Sequence, residues 1–272
     1  MCLFLLTTPA NTKYGYNTTA NKRSHKAIEE SVRPFNVPEI LLPHDRSKRW
    51  GWTHYGVFIP SLPEPYRYMN TVTAIGGFGN LVFDNDYTAA PDARNSTSVL
   101  SSTAYGETHH FEAYDTSTTC SFAEDGTRLA WGDNLVITSN YPEFTVTGRY
   151  HHMSVDLQIS TTQQVSWFIQ TPIYDHLSLF ATYHGTIKDV RGTTEISGMC
   201  TVEYARCMTP QVLTSTPLQP QLKIPVAFFT YQIIDLDKRT QLLLNKVRGL
   251  GQTLSIQTPK AAQCEYQNSF VG

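Results

Sequence analysis

Histidine and tyrosine recur side by side in this sequence, within stretches rich in strand-forming residues. The pairs are His54-Tyr55, Tyr150-His151, Tyr174-Asp175-His176 and Tyr183-His184. A histidine can give or take a proton near neutral pH, and a tyrosine hydroxyl can orient a carbonyl or stabilise an enolate. The pairing predicts proton transfer in an apolar pocket, with Tyr174, His151 and His176 as candidate catalytic groups.

Strand alternation gives these side chains a common direction. In the stretch 173–185, Tyr174, His176, Phe180 and His184 fall on one face, which predicts a polar and aromatic lining. His151 falls on the apolar side of the stretch 150–160, where a buried imidazole needs a partner. The alternative for each histidine is an ordinary half-buried strand residue whose ring reaches water or a backbone carbonyl.

Acidic residues inside strands are a second source of chemistry. Glu195 and Glu203 share a face with Met199 and Thr201. If that face lines a cavity, Glu203 is a candidate catalytic acid with a raised pKa. If it faces solvent, both are charges that protect a sheet edge, and this second interpretation is the one the pattern favours.

The expected ligand contacts are mostly aromatic, and no metal or cofactor is predicted. His176 and His184 lie ~26 Å apart along an extended strand, too far to share an ion. The sequence contains no nucleophile elbow, phosphate loop or His-Glu-x-x-His motif. The predicted ligand-binding residues are Trp52, His54, Tyr55, Met153, Trp167, Phe180 and His184.

Composition narrows the class of protein. The net charge is −2 with no large Lys/Arg cluster, which argues against nucleic-acid binding. The apolar start is too short for a signal sequence, and no run of 18 apolar residues predicts a membrane-spanning helix. Five cysteines without a Cys-x-x-Cys motif are typical of reduced thiols in a cytoplasmic protein.

The elements that must position these residues are strands. A dozen or more short apolar segments follow one another with little helical periodicity, which is typical of barrels and sandwiches. Strands with one apolar and one mixed face suit a barrel wall. We expect an irregular lead-in over 1–49, an N-terminal β domain over 50–148 and a C-terminal β domain over 149–272.

Three short stretches carry a resemblance to a known family. They are Trp50-Gly51-Trp52-Thr53-His54-Tyr55-Gly56, Phe83-Asp84-Asn85-Asp86 and Phe229-Thr230-Tyr231-Gln232. From about Trp50 onward the chain resembles an uncharacterised bacterial lipocalin-like family. That family is distantly similar to carotenoid hydratases, tocopherol cyclases and Diels–Alderase-type cyclases. The resemblance implies an all-β, antiparallel fold of two lipocalin-like barrel or sandwich domains packed together. The acidic catalytic positions of those enzymes have no match here, so their activity does not carry over.

These observations predict a protein that binds a bulky apolar molecule, such as an isoprenoid, steroid or polyketide, in a barrel cavity. We expect cofactor-free cyclisation, isomerisation or hydration by tyrosine and histidine proton transfer. A carrier or sensor of hydrophobic ligands without chemistry is the alternative, and a structural role is a third. The apolar hairpin over 226–248 fits core packing or a homodimer interface.

Overall fold

β-Strands make up nearly all of the regular structure. The computed structural model describes residue 31 and residues 33–79, 88–106, 108–223, 229–247, 251–257 and 262–265. Apart from Ser31, which is α-helical, helix in these ranges is limited to short 3-10 segments such as Pro38–Ile40 and Pro210–Leu213. No helix there is long and apolar enough to cross a membrane. The strands are β1 Trp52–Ile59, β2 Met69–Gly76, β3 Ser96–Thr103, β4 His109–Asp115, β5 Cys120–Phe122, β6 Arg128–Trp131, β7 Leu135–Asn140, β8 Glu143–Arg149, β9 Ser154–Gln170, β10 Tyr174–Asp189, β11 Gly192–Cys207, β12 Phe229–Asp235, β13 Gln241–Val247, β14 Gly251–Gln257 and β15 Ala262–Glu265.

Eleven strands form one antiparallel sheet that curls into a nearly closed barrel. Its order is β4-β3-β2-β1-β11-β10-β9-β8-β7-β6-β5. The two end strands, β4 and β5, are joined by the short turn 116–119, so the turn holds the edges near one another. Across the interior, Trp131 Nε1 on β6 donates a hydrogen bond to Thr97 Oγ1 on β3 at 2.8 Å. The curled sheet therefore encloses a single core.

Apolar side chains fill that core. Every strand from β1 to β11 contributes to one cluster, and the lead-in segment adds Phe35 and Leu41. Tyr55 and Tyr204 lie on neighbouring strands and donate to the carbonyl oxygens of Leu41 and Leu42, at 3.1 and 2.9 Å. The described part of the predicted lead-in is thus held against the barrel by its backbone.

The second sheet has four antiparallel strands in the order β12-β13-β14-β15. Tyr231 on β12 reaches across to the outer face of the large sheet. Its hydroxyl lies 3.3 Å from Ser178 Oγ and 3.4 Å from Thr201 Oγ1. This second sheet covers β10 and β11 on the side opposite the barrel core.

The all-β, antiparallel class predicted from the sequence is confirmed, but two lipocalin-like domains are not. Strands from both predicted domains belong to the same sheet, because β8 pairs with β9 and β1 pairs with β11. The boundary predicted between residues 148 and 149 falls inside β8, near its end, and β8 pairs with β9 in that sheet. The domain limits stay a prediction, and residues 1–30 and the stretch Phe83–Asp86 lie outside the described residues.

Candidate functional site

Three adjacent strands bring two histidines and a glutamate together. β11 lies between β1 and β10, and Ala205 on β11 pairs with His54 on one side and His176 on the other. Two residues earlier, Glu203 pairs with Gly56 and Ser178. Residues in register on antiparallel strands share a face, so these side chains all project from the outer face of the sheet. The small neighbours at residues 56, 178 and 205 leave room for them.

The Glu203 carboxylate joins the two imidazoles. Its Oε1 lies 2.8 Å from His176 Nε2, and its Oε2 lies 3.4 Å from His54 Nε2. The three side chains are buried, with Glu203 3%, His176 6% and His54 7% exposed. We call Tyr174, His176, Glu203 and His54 the His–Glu–His network.

Glu203 is held as a carboxylate. Burial works to raise its pKa, but attraction to His176 and His54, with their hydrogen bonds, outweighs burial and lowers the pKa to about 2. The sequence-based expectation of a solvent-facing edge charge is therefore wrong, and so is the raised pKa of the alternative. The error arose because the imidazole partners lie on other strands, where sequence spacing does not reveal them.

The far side of each imidazole also has a partner. His54 Nδ1 lies 2.7 Å from the carbonyl oxygen of Thr73 on β2, and His176 Nδ1 lies 3.1 Å from the hydroxyl of Tyr174. Burial raises the pKa of Tyr174, with the neighbouring Cys207 and Glu203 adding to the effect, so its phenol stays protonated. The network thus runs from a backbone carbonyl at one end to a phenol at the other.

Aromatic rings surround the network. Trp52 stacks on His54 with ring centroids 5.7 Å apart, and Phe78 contacts both Trp52 and Tyr174. On the other side, Phe168 meets His176 edge to face at 5.0 Å, and Tyr231 covers Phe168 and Phe58. The charged groups therefore lie in an apolar, aromatic setting, where electrostatic interactions are strong.

The indole of Trp52 has an unused donor. Its Nε1 is buried and has no hydrogen-bond acceptor among the described residues. A buried N–H without a partner costs about 1–3 kcal/mol. An acceptor supplied by a ligand would satisfy it.

Two predicted histidines lie elsewhere. His151 is exposed in a bend before β9, so the prediction that it faces the apolar side is wrong. The bend is closed by a hydrogen bond from Tyr150 N to Met153 O at 2.8 Å, which interrupts the expected alternation. His184 is also exposed, because the second sheet leaves the far end of β10 uncovered.

The remaining predicted residues divide between the two faces of the large sheet. Trp52, His54 and Phe180 fall on the outer face with the network, and Phe180 is fully buried. Tyr55, Met153 and Trp167 belong to the barrel core. The structure thus brings Tyr174, His176, Glu203 and His54 together but separates them from half of the expected ligand contacts.

Sequence reasoning missed Phe78, Phe168 and Tyr231. Phe78 follows the Gly76-Gly77 turn, where no strand periodicity assigns a direction. Phe168 takes the outer face beside the core residue Trp167, and the pairing of β9 with β10 shifts register between His176 and Leu177. Tyr231 approaches from another sheet, and the sequence marked it through the apolar hairpin and the resemblance stretch Phe229-Thr230-Tyr231-Gln232, neither of which indicates that it covers the network.

Two depressions large enough for a small molecule lie away from the network. One, of about 350 Å³, is lined by Arg33, Phe35, Val37, Trp167 and Gln170 among others. The other, of about 340 Å³, is open and is lined by Tyr150, His151, Met153 and Lys188 among others. Three of the predicted site residues, Trp167, His151 and Met153, line these depressions.

The network does not have the arrangement of a metal site. The two glutamate oxygens face different imidazoles, so the nitrogen atoms do not converge on one point. Within the described ranges, no group of three His, Cys, Asp or Glu side chains is placed to hold an ion.

Comparison with known proteins supports the fold and names a family. The model of DUF6670, described as a family of unknown function, matches residues 72–261. A crystal structure of a Nitrosomonas europaea protein, provisionally assigned as AttH, aligns with a TM-score of 0.55 at 11% identity, covering 86% of this chain and 73% of that one. No curated protein matches. At this identity the likeness is one of fold, and it supports the expected lipocalin-like architecture, whereas similarity to the hydratases and cyclases stays a prediction.

Proposed function

We propose that this chain, which belongs to the DUF6670 family, binds a bulky apolar molecule over the His–Glu–His network and rearranges it by proton transfer. Tyr174 and His176 exchange a proton with the ligand. Glu203 and His54 stabilise the charge that this transfer places on Tyr174 and His176. The reaction needs no cofactor, since each step moves a proton between the ligand and these side chains.

The observation that carries the proposal is the buried carboxylate between two imidazoles. Taking an ionised group out of water costs several kcal/mol, and a buried pair is often no more stable than apolar residues of the same volume. Titratable groups in such settings cluster at functional sites. The fold alone does not require a charge here, because elsewhere on β11 the buried residues are apolar or small polar ones.

The surroundings indicate the kind of ligand. Rings of Trp52, Phe78 and Phe168 border the network, and such rings offer large apolar contact area with no formal charge. Isoprenoid, steroid and polyketide skeletons match that surface. The indole N–H of Trp52 adds one point at which a ligand oxygen can bind.

Access requires the second sheet to move. Tyr231 lies over Phe58 and Phe168, and its hydroxyl rests between Ser178 and Thr201. A ligand that reaches the network displaces this ring. Closure afterwards excludes water, as proton transfer to and from carbon demands.

A carrier function is the second candidate, and a separate observation favours it. The depression beside Phe35 and Trp167 has a volume of about 350 Å³, within the range of ligand pockets, and mixes apolar walls with the cation of Arg33. A hydrophobic ligand held there would undergo no chemistry.

The two functions can be separated with matched histidine variants. Apolar compounds that co-purify with the chain are identified by mass spectrometry, and β-ionone and progesterone serve as isoprenoid and steroid probes. Melting temperatures with each compound are then compared for the wild type, His176→Gln and His184→Gln. His184 is the control because it lies exposed on the same strand.

The proposal expects a ligand-induced rise in melting temperature that His176→Gln reduces and His184→Gln leaves unchanged, because ligand binding to the native state raises stability. It also expects conversion of a co-purified compound that His176→Gln abolishes. Equal rises in all three proteins without conversion would favour the carrier. No rise with any compound would contradict both.

A further inference from the structure

We infer that the network rests with its extra proton on His54 and with His176 neutral, so that the first chemical step is removal of a proton from the ligand. This inference rests on the proposed function and selects one reaction from it. The substrate class is an apolar β,γ-unsaturated ketone, whose weakly acidic C–H lies between the carbonyl and the carbon–carbon double bond. The reaction is migration of a double bond.

His54 faces two acceptors. Nδ1 lies 2.7 Å from the carbonyl oxygen of Thr73, which can only accept a hydrogen bond. Nε2 faces the Glu203 carboxylate, which is ionised and also only accepts. Both ring nitrogens of His54 therefore need a hydrogen, and a ring with two N–H groups is an imidazolium.

His176 faces one acceptor and one hydroxyl. Its Nε2 donates to Glu203 Oε1 at 2.8 Å. Its Nδ1 faces the Tyr174 hydroxyl at 3.1 Å, and a hydroxyl can donate as well as accept. A neutral ring with its hydrogen on Nε2 satisfies both contacts, because the phenol then donates to Nδ1.

The sum of charges agrees with a single imidazolium in the network. One imidazolium and one carboxylate make the buried network neutral, whereas two imidazolium rings leave a net positive charge and none leaves a net negative one. Among the described residues, Cys207 on β11 and Tyr231 on β12 are the other titratable side chains that face the network. Burial raises the pKa of both, so neither adds a charge.

A neutral His176 makes Tyr174 a proton acceptor. As the phenol passes its proton to His176 Nδ1, its oxygen takes a proton from the carbon beside the ligand carbonyl. The C–H electron pair forms a carbon–carbon double bond and the carbonyl becomes an enolate. Return of the proton by the same route to a different carbon restores the carbonyl, so the double bond has moved and no atom or electron is gained or lost.

The charge created in the first step has partners. His176 becomes an imidazolium as the ligand becomes an enolate, so the site stays neutral overall. Trp52 Nε1 has no acceptor in the described structure and belongs to the same apolar cluster as Phe78 and Tyr174. An enolate oxygen would supply that acceptor. Hydration or cyclisation started by protonating an alkene needs the opposite resting state, with Nδ1 of His176 carrying a hydrogen.

Nitrogen NMR of the histidine-labelled full chain at neutral pH tests the assignment without any ligand. We expect both ring nitrogens of His54 to carry hydrogen and His176 to carry one, on Nε2. In His54→Gln the cation should move to His176, whose two nitrogens then both appear protonated. In Tyr174→Phe the His54 signals should stay unchanged, while His176 Nδ1 shifts because it loses its donor.

The opposite pattern, with His54 carrying one hydrogen and His176 carrying two in the wild type, would overturn the inference. Such a result would leave the proposed binding function standing and would assign ligand protonation as the first step. Failure of the proposed function would appear instead as the absence of any ligand-induced rise in melting temperature. If His54→Gln does not fold, the wild-type spectrum still decides.

Discussion

His176 Nε2 lies 2.8 Å from Glu203 Oε1, in a region where both side chains are more than nine-tenths buried. The contact spans the β10–β11 hairpin and is reinforced by His54 from the opposite neighbour of β11. Glu203 therefore links the imidazoles of His176 and His54 on the outer face of the sheet.

Removing Glu203 should strongly destabilise the fold. Glu203→Ala leaves a buried imidazolium without its counter-charge and His176 Nε2 without its acceptor, and breaking a buried pair in this way costs about 3–5 kcal/mol. Glu195→Ala is the matched control, because Glu195 is exposed on the same strand and its loss should change stability by no more than about 0.5 kcal/mol. Urea unfolding of both variants measures the difference, and equal losses would contradict the assignment of a structural charge to Glu203.

The contribution of Glu203 should disappear in acid. Its pKa in the folded chain is about 2, below the ordinary value of 4.5. A carboxyl whose pKa is lowered by folding stabilises the native state in full above its unfolded pKa, and this contribution is lost as pH falls towards the folded pKa. The difference in unfolding free energy between the wild type and Glu203→Gln should be constant from pH 7 to pH 5 and should shrink below pH 4.5. A difference that stays constant down to pH 3 would show that the carboxylate is not preferentially ionised in the native state.

Gly56 should be needed for the position of His54. A Cβ at residue 56 would lie 2.6 Å from Phe58 Cε2 and 3.0 Å from His54 Nε2. Gly56→Ala should therefore push the imidazole away from Glu203, which the ring-nitrogen signals of His54 would report. Gly198→Ala is the control on β11, since its Cβ would meet only Tyr183, at 3.5 Å. Unchanged His54 signals in Gly56→Ala would mean that Phe58 alone moves.

Two tryptophans allow a matched test of the unused donor. Trp52 and Trp131 are both buried strand residues, but Nε1 of Trp131 donates to Thr97, whereas Nε1 of Trp52 has no acceptor among the described residues. Replacement by phenylalanine removes the same atoms at each place. Trp131→Phe should cost about 1–3 kcal/mol more than Trp52→Phe, because it leaves the Thr97 hydroxyl without its donor. Equal costs by thermal or urea unfolding would argue that the Trp52 N–H is satisfied in solution.

The position of His176 and Glu203 on the β10–β11 hairpin could be predicted from the sequence. The turn at Val190-Arg191 closes between Asp189 and Gly192, and this register sets His176 opposite Ala205 and Ser178 opposite Glu203. The stretch 173–185, predicted to alternate as a strand, falls within β10 except for its first residue. The pairing of these two strands did not by itself predict that His176 contacts Glu203 diagonally rather than its direct partner Ala205.

The place of His54 in the network could not be predicted from the local sequence pattern. His54 reaches Glu203 across 149 residues of sequence, because β1 pairs with β11 and so links the beginning of the sheet to its end. Nothing in the alternation of β1 identifies that neighbour. His151 shows the opposite error: a regular alternation over 150–160 predicted one strand, but the bend before Ser154 turns its imidazole to solvent.

β11 is half exposed and half enclosed, and the two halves should differ in how freely they can change. From Gly192 to Gly198 most side chains are exposed or half-buried, whereas the seven consecutive residues from Met199 to Ala205 are all buried. Along those seven residues one face packs in the barrel core and the other carries the network or lies under Tyr231. Tolerance to substitution should therefore be high in the first half. In the second half every position should be sensitive, whereas an ordinary strand with one exposed face tolerates substitution at every second residue. In this half of β11 both faces are packed, so few substitutions on either face should be neutral.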